Sequence, residues 1–249
     1  MTNDSDAAAD IATVAGARLL DIRGAGGTAD ELKASGDRGS HELIMAELGR
    51  RFPDDAVLSE EGTDSSARLG RPRVWIVDPL DGTREFSEPP RTDWAVHVAL
   101  VVDGVLTVGA VALPARGLTL STTGASTAPL PSRPTHDGAP RLVVSRTRPT
   151  EHARVIAEQL HAELLPMGSA GAKAMAVVLG EADIYAHSGG QYEWDSAAPV
   201  AVARASGLHV SRLDGSPLVY NQADPWLPDL LICRPDLATS VIEICRGVA

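Results

Sequence analysis

Cysteine is scarce, positive charge is in deficit, and no apolar run is long. The 249 residues hold 2 Cys, Cys233 and Cys245. They form no C-x-x-C pair, and two thiols build neither a disulfide framework nor a zinc site, so both read as small apolar residues of a reducing compartment. Lys plus Arg number 22 against 33 Asp plus Glu, a formal net charge of -11. Electrostatic binding to nucleic acid or to an anionic membrane surface needs a basic face, and that balance excludes it. An anionic substrate would then have to find its positive charge elsewhere. The longest apolar run, Ala95 to Val102, is interrupted by His97 and is far too short to span a bilayer. The first ten residues are acidic and polar, with no basic or apolar segment of a signal peptide, so a cytoplasmic location is expected. No Gly-rich loop ends in Lys-Ser/Thr, which removes kinases and NTPases. No internal repeat is visible. What is left is an ordinary packed composition, 44% hydrophobic and 22% charged, at a length suited to one large domain or two closely packed ones.

The periodicity divides the chain. Ile11, Val14, Ala15, Leu19 and Ile22 recur at helical spacing over Asp6–Arg23, and Gly24, Gly26 and Gly27 end that helix. A second helix is expected over about Ser40–Phe52, closed by Pro53, Asp54 and Asp55. A short strand, Ala56–Ser59, follows. Val74–Val77 is apolar and β-branched, and Trp94–Val102 and Val105–Leu113 flank Asp103-Gly104, a hairpin signal. Leu118–Thr122 adds a further strand. Ala125–Pro140 is rich in Ser, Thr, Pro and Gly and reads as the linker between residues 1–130 and 131–249. Beyond it, strands at Arg141–Ser145, Ala182–His187, Leu208–Leu213 and Leu230–Cys233 alternate with helices at Thr150–Ala162, Ser169–Leu179, Asp195–Ala205 and the C-terminus. That alternation implies a layered α/β fold.

The sharpest chemical signal is Trp75-Ile76-Val77-Asp78-Pro79-Leu80-Asp81-Gly82-Thr83. A strand delivers Asp78, Pro79 fixes a turn, and Asp78 and Asp81 can face one cation, with the Leu80 carbonyl between them as a third oxygen. Hard divalent cations such as Mg²⁺ prefer that all-oxygen set. Taken alone, the segment reads equally well as an Asp-Pro and Asp-Gly turn. Glu60-Glu61 after a strand reads alone as a solvated turn. Asp195, in Glu193-Trp194-Asp195, sits where a helix N-cap belongs. Asp37, in the polar stretch ahead of the second helix, says nothing by itself. Together, the four acidic segments end strands or open helices, where side chains converge at the edge of an α/β sheet. Clustered carboxylates repel unless cations neutralise them, so bound metal would supply the positive charge that Lys and Arg do not.

The set Asp37, Glu60-Glu61, Asp78-Pro79-Leu80-Asp81-Gly82-Thr83 and Trp194-Asp195 resembles, in order and spacing, the lithium-sensitive, magnesium-dependent phosphatases that include the inositol monophosphatases. Thr83-Arg84-Glu85-Phe86 is similar to their CysQ branch, as are Val144-Ser145-Arg146 and Gly168-Ser169 followed by Lys173. Thr92–His97 and Gly190–Pro199 resemble actinobacterial members of it. The resemblance implies an αβαβα layered sandwich with metals between an N-terminal α+β and a C-terminal α/β portion. It implies two Mg²⁺ and a weaker third, inhibition by Li⁺, and ligands Glu60, Asp78, the Leu80 carbonyl, Asp81 and Asp195. Asp37 and Thr83 become the pair that positions and deprotonates a water. Gly82 and Thr83 amides receive phosphate oxygens, and Ser145, Arg146, Ser169, Lys173 and His187 lie toward the substrate. The implied reaction is hydrolysis of the 3'-phosphate of adenosine 3',5'-bisphosphate to AMP, a clearing step in sulfate assimilation, and the 3'-phosphate of 3'-phosphoadenylyl sulfate is a further implied target.

Two departures touch the substrate side: Ala198-Pro199 stands where relatives often have Gly, and Gly168–Lys173 is one residue longer than in enterobacterial relatives. The rival readings are an inositol-phosphate or fructose-1,6-bisphosphate phosphatase, and a nucleotide- or metal-binding module without turnover. His97 reads as a half-buried, satisfied histidine rather than a ligand. Tyr192 either packs on a base or covers a core edge. A homodimer stays open.

Overall fold

The computed structural model describes residues 4–125 and 138–248. The linker stretch, and with it the expected boundary at 130/131, falls almost wholly outside the described residues. The chain opens with two long helices, α1 (Asp4–Ala25) and α2 (Ala29–Arg51). There follow β1 (Ala56–Ser59), β2 (Arg73–Asp81), the one-turn α3 (Thr83–Phe86), β3 (Ala95–Val102), β4 (Val105–Leu113), β5 (Leu118–Ser121) and β6 (Gly124–Ala125). The second half runs β7 (Arg141–Ser145), α4 (Glu151–Leu160), β8 (Glu163–Met167), α5 (Ala170–Val178), β9 (Ile184–Tyr192), α6 (Glu193–Ala205), β10 (His209–Ser211), β11 (Trp226–Cys233) and α7 (Ala238–Arg246).

The strands β1 to β6 form one sheet in sequence order, and a second sheet has the order β10-β11-β9-β7-β8. α1 lies on β3, β4 and β5, and α2 on β2. α6 packs between the sheets, against β2, β3 and β4 on one side and β9, β10 and β11 on the other, with α5 beside it. α4 covers β7 and β9 and packs against α7. The layers therefore run α, β, α, β, α. Three apolar clusters fill the spaces between the layers, one of them spanning both sides of the middle helices. Trp75, Val77, Val96, Val98 and Leu100 face α1 and α2. Ile76, Ala95, Ala99 and Val101, on the opposite face of the same strands, meet Met175, Ala197 and Val200 of the middle helices. Leu142, Ile184 and Leu231 meet Ile156 and Val241 on the outside. A sheet covered on both faces explains why Val74–Val77 of β2 and Val98–Val102 of β3 read as apolar runs rather than alternating ones.

The short α3 and β6 were not expected, β9 runs on past His187 to Tyr192, and β11 starts at Trp226 rather than Leu230. Two further differences have a clear physical cause. The second helix begins at Ala29, not near Ser40. Thr28 starts it: its side chain accepts from the Glu31 amide at 3.3 Å while Glu31 accepts from the Thr28 amide at 2.9 Å. Gly36 and Gly39 hide this half, since each costs a helix about 1 kcal/mol relative to Ala. Packing explains Gly36, where a Cβ would stand 2.8 Å from both Leu80 and Phe86. Asp37 therefore sits inside a helix, held against the end of β2, and not in a loop. The second miss is β8, mostly exposed and carrying Pro166, an edge strand with little apolar signal to read.

Candidate active site

β1 and β2 run parallel and end side by side, with Ser59 opposite Val77. This places Glu60 beside Asp78. Just beyond, the ladder between β2 and β3 breaks between Asp78 and Asp81, so that the turn carries both acids to one side. The Asp78 carboxylate accepts the Leu80 amide at 3.0 Å, which fixes the turn. Asp195 comes from the other half of the chain, on the first turn of α6. Asp78, Asp81 and Asp195 each offer a carboxylate oxygen within 4.8 Å of one another. Asp195 is not the helix cap; that place belongs to Tyr192, whose amide donates to Asp195 at 2.7 Å.

Three of these acids hold protons unusually tightly. Burial pushes Asp78 well above the ordinary carboxylate range, reinforced by the charges of Glu60, Asp81 and Asp195. Burial pushes Asp195 up to about 6, with Asp81 adding to it. Removal of the Glu60 carboxyl from water, with Asp195, Asp81 and Glu61 nearby, pushes it up to about 7. Among the described residues no Lys or Arg forms an ion pair with any of the three. An all-oxygen, multiply negative cluster with no Lys or Arg paired to it among the described residues fits a hard divalent metal ion. The Leu80 carbonyl already accepts the Thr83 hydroxyl at 3.1 Å and lies at the same turn.

Asp81 behaves differently. Its carboxylate accepts Ser169 Oγ at 2.5 Å and the amides of Gly171 at 2.5 Å and Ala170 at 3.0 Å, all at the start of α5. His97 Nε2 lies 3.2 Å away. Burial would raise its pKa, but His97 and the α5 donors outweigh burial and bring it down to about 2. His97 was read as half-buried; it is 0% exposed, stands opposite Asp78 in the β2–β3 register, and donates Nδ1–H to the Trp194 carbonyl at 3.0 Å. It reaches both halves of the cluster. Its signal was absent from the sequence because it depends on which strand pairs with β2.

The Thr83 hydroxyl lies 3.3 Å from Asp37 Oδ1, so the expected pair is assembled across 46 residues. Partial burial and the charge of Glu61 raise Asp37 to about 6, against the hydrogen bond from Thr83. Gly82 caps α3 in a left-handed conformation, φ 86°. A Cβ there would meet Ser169 Cβ at 3.0 Å, so the turn admits only glycine.

The substrate-side residues divide. Ser145, Lys173 and His187 line one cavity of about 330 Å³, together with Arg148, which the sequence reading passed over. Lys173 is 7% exposed and its Nζ lies 5.1 Å from the centre of the Tyr185 ring. Burial lowers the pKa of Lys173, against the pull of Asp81 and other acids. His187 rests on Tyr185 and on the Gly190 carbonyl, and burial lowers its pKa too. Arg146 is turned away. It pairs with Glu85 and Glu88, each at 2.7 Å, and ties β7 to α3. Ser169 spends its hydroxyl on Asp81 and on capping α5 at the Ala172 amide. Arg146 and Ser169 thus support the site rather than line the cavity. Tyr192 stacks on Trp194 at 4.7 Å and meets Trp226 edge-on.

The raised carboxyls carry a stability consequence. In the unfolded chain they ionise near pH 4, whereas Asp37, Glu60 and Asp195 do so near 6 to 7 when folded. At these three groups the folded protein retains protons that the unfolded chain has released, so their contribution to stability is fullest below about pH 4 and is lost as pH rises through 6 to 7, whereas Asp81, brought down to about 2, contributes in the opposite sense only at lower pH. Metal-stripped protein is therefore expected to melt lower at about pH 8 than at about pH 5, and millimolar Mg²⁺ to remove most of that difference. Thermal denaturation in four conditions checks it; a melting point that rises with pH in the stripped protein would contradict the cluster electrostatics.

The sequence model of the inositol monophosphatase family matches residues 2–244. The chain is 50% identical to a 3'-phosphoadenosine 5'-phosphate phosphatase of Mycobacterium leprae, over 98% of this chain and 94% of that protein. It is 52% identical to the Mycobacterium tuberculosis protein of the same name, over 83% of this chain and 79% of that one. The crystal structure of CysQ from Bacteroides thetaiotaomicron superposes with a TM-score of 0.77 at 29% identity, covering 93% of this chain and 97% of that one.

Proposed function

The chain belongs to the inositol monophosphatase family, and from that premise we propose that it is a metal-dependent phosphatase that removes the 3'-phosphate of adenosine 3',5'-bisphosphate to leave AMP. The observation that carries the reading is one assembly: three carboxylates within 4.8 Å of one another, the Thr83–Asp37 contact, and a cavity lined by Lys173, Arg148 and His187, whose Lys173 feels the charges of Asp81 and Asp195. Glu60, Asp78, Asp81, Asp195 and the Leu80 carbonyl would hold Mg²⁺, two ions with a weaker third. Bound there, Mg²⁺ supplies charge for the phosphoryl oxygens and lowers the pKa of water by several units. The protein does the rest. Asp37, ionised at neutral pH, accepts the Thr83 hydroxyl proton, which leaves Thr83 Oγ1 free to accept a proton from water on the attacking side. The amides of Gly82 and Thr83 face the phosphate. Ser145, Lys173 and His187, with Arg148, take the nucleotide, and supply the cationic contact that a chain of net charge -11 otherwise lacks. Among the described residues no helix is long and apolar enough to cross a membrane. A cytoplasmic enzyme that clears this by-product of sulfate assimilation is the role that goes with the substrate.

Phosphate release from adenosine 3',5'-bisphosphate, inositol 1-phosphate and fructose 1,6-bisphosphate tests the reading, each with Mg²⁺, without it and with added Li⁺. The expected result is a kcat/KM at least about 100-fold higher for the nucleotide, as one well-placed charged contact is worth a few kcal/mol, with loss of turnover on metal removal and inhibition by Li⁺. Equal rates on all three would replace the nucleotide assignment by a broad sugar-phosphate activity. No release from any would leave a binding module.

A further inference from the structure

Arg68 is 2% exposed, in a short turn (Ser66–Gly70) between β1 and β2, and it serves no apolar core. Its guanidinium bridges two distant segments. Nε and Nη2 donate to Asp64 at 2.7 and 3.1 Å, Nη1 donates to the Asn221 side chain at 2.6 Å, and Nη2 to the Gln222 carbonyl at 2.8 Å. The same turn is gripped from its other side by Glu193, 1% exposed, whose two oxygens accept the Asn221 amide at 2.6 Å and the Gln222 amide at 2.7 Å. Asn221 adopts φ 60°, a left-handed conformation that Asn tolerates, which aims its amide at Glu193 while its side chain faces Arg68.

The two ends of this chain of contacts are the two halves of the acidic cluster. Asp64 stands four residues after Glu60, on the loop that leaves β1. Glu193 stands two residues before Asp195, on the first turn of α6. Glu193 is an acid in the Glu193-Trp194-Asp195 motif, yet both its oxygens are committed to backbone amides and it takes no part in the cluster. We propose that Arg68 and Glu193 are positioning residues which, through the Asn221-Gln222 turn, fix the separation of the Glu60 loop from Asp195 and thereby set the fit of the site to Mg²⁺. The physical reason is geometric. Mg²⁺ demands near-ideal octahedral oxygens at short distance, whereas Ca²⁺ accepts six to eight oxygens in flexible arrangements. Ligands drawn from two segments more than 130 residues apart meet that demand only if something ties the segments together. A loosened tie should therefore discriminate between the two ions.

The inference rests on the metal-centre reading, and the experiment separates the two. Mg²⁺ and Ca²⁺ binding to the metal-stripped full-length protein is measured by calorimetry for the parent and for Arg68→Lys, Glu193→Gln and Asn221→Gly. The last is the gentlest, since glycine suits the positive φ and only the Arg68 acceptor is lost. Arg141→Ala is the control for buried ion-pair loss elsewhere, because Arg141 pairs with Asp183 at the far end of β7. The expected result is a loss of Mg²⁺ affinity of about 10-fold or more in Arg68→Lys and Glu193→Gln, the range found when residues that orient metal ligands are changed. Ca²⁺ affinity should fall by less than about 3-fold, and Arg141→Ala should lower the melting point without moving either ion. Parent-like Mg²⁺ affinity in both Arg68→Lys and Asn221→Gly would overturn the proposal, as would equal losses for Mg²⁺ and Ca²⁺ or a matching loss in Arg141→Ala. Absence of Mg²⁺ binding by the parent would overturn the metal-centre reading and this inference with it.

Discussion

With Asp81 in the proposed metal set, replacing it by asparagine is expected to reduce kcat by about 10³ or more, because a carboxylate in that role is worth several kcal/mol of transition-state stabilisation. It is expected to destabilise the fold as well. Asp81 accepts Ser169 Oγ, two α5 amides and the approach of His97, all donors. An asparagine has one acceptor oxygen and an NH₂ that would point at one of those donors. It also strips the counter-charge from His97, which Asp81 holds above its ordinary pKa against the opposing effect of burial. Breaking one side of a buried charged pair costs about 3–5 kcal/mol. Both effects can be read separately: urea denaturation of the metal-free protein gives the stability loss, and single-turnover kinetics at saturating Mg²⁺ give the chemical one. Activity within tenfold of the parent would remove Asp81 from the metal set. Unchanged stability would mean that α5 does not depend on it.

That prediction was half legible in the sequence. Asp78-Pro79-Leu80-Asp81-Gly82-Thr83 gave the turn and its acids, since strand, proline and glycine are local signals. The hold of α5 on Asp81 was not legible, because Ser169, Ala170 and Gly171 are about ninety residues away and nothing local says which helix start will face the turn. For the same reason Ser169 was read toward the substrate, although its hydroxyl is spent on Asp81. Arg146 was misplaced by a comparable route: its motif marked the strand end correctly, but the acids that claim it, Glu85 on α3 and Glu88 just after it, lie 61 and 58 residues earlier. A layered α/β fold was readable from alternating strands and helices, and the order of the layers came with the resemblance. The start of α2 was not, because glycines chosen for packing against Leu80 and Phe86 mimic a loop. Local chemistry was therefore visible wherever one segment carries it; where two segments share it, the resemblance supplied Asp37 with Thr83 and Asp195 with Asp78 and Asp81, and the rest was lost.

Thr83→Ala carries the second large effect. The Thr83 hydroxyl has one proton and two acceptors, Asp37 Oδ1 at 3.3 Å and the Leu80 carbonyl at 3.1 Å. Donating to Asp37 makes Oγ1 a better acceptor for a proton from water; donating to Leu80 does not. Asp37, raised to about 6 by partial burial and Glu61, is still mostly ionised at neutral pH and is a stronger base than an ordinary carboxylate. Removing the hydroxyl takes away the relay and leaves the carboxylate out of place, so kcat is expected to fall by about 10² to 10⁴, the usual worth of a positioned proton acceptor. Mg²⁺ affinity should change little, because Thr83 contributes no ligand atom and the Leu80 carbonyl only loses a donor. The direction of the pH profile follows as well. The hydrogen bond from Thr83 favours the ionised form of Asp37, so its loss raises the Asp37 pKa, and the acid limb of the residual rate moves to higher pH. Thr83→Ser keeps the hydroxyl and should restore both rate and limb. An unchanged kcat in Thr83→Ala, or a limb that moves to lower pH, would take Thr83 and Asp37 out of the proton path and leave water activation to the metal ligands alone.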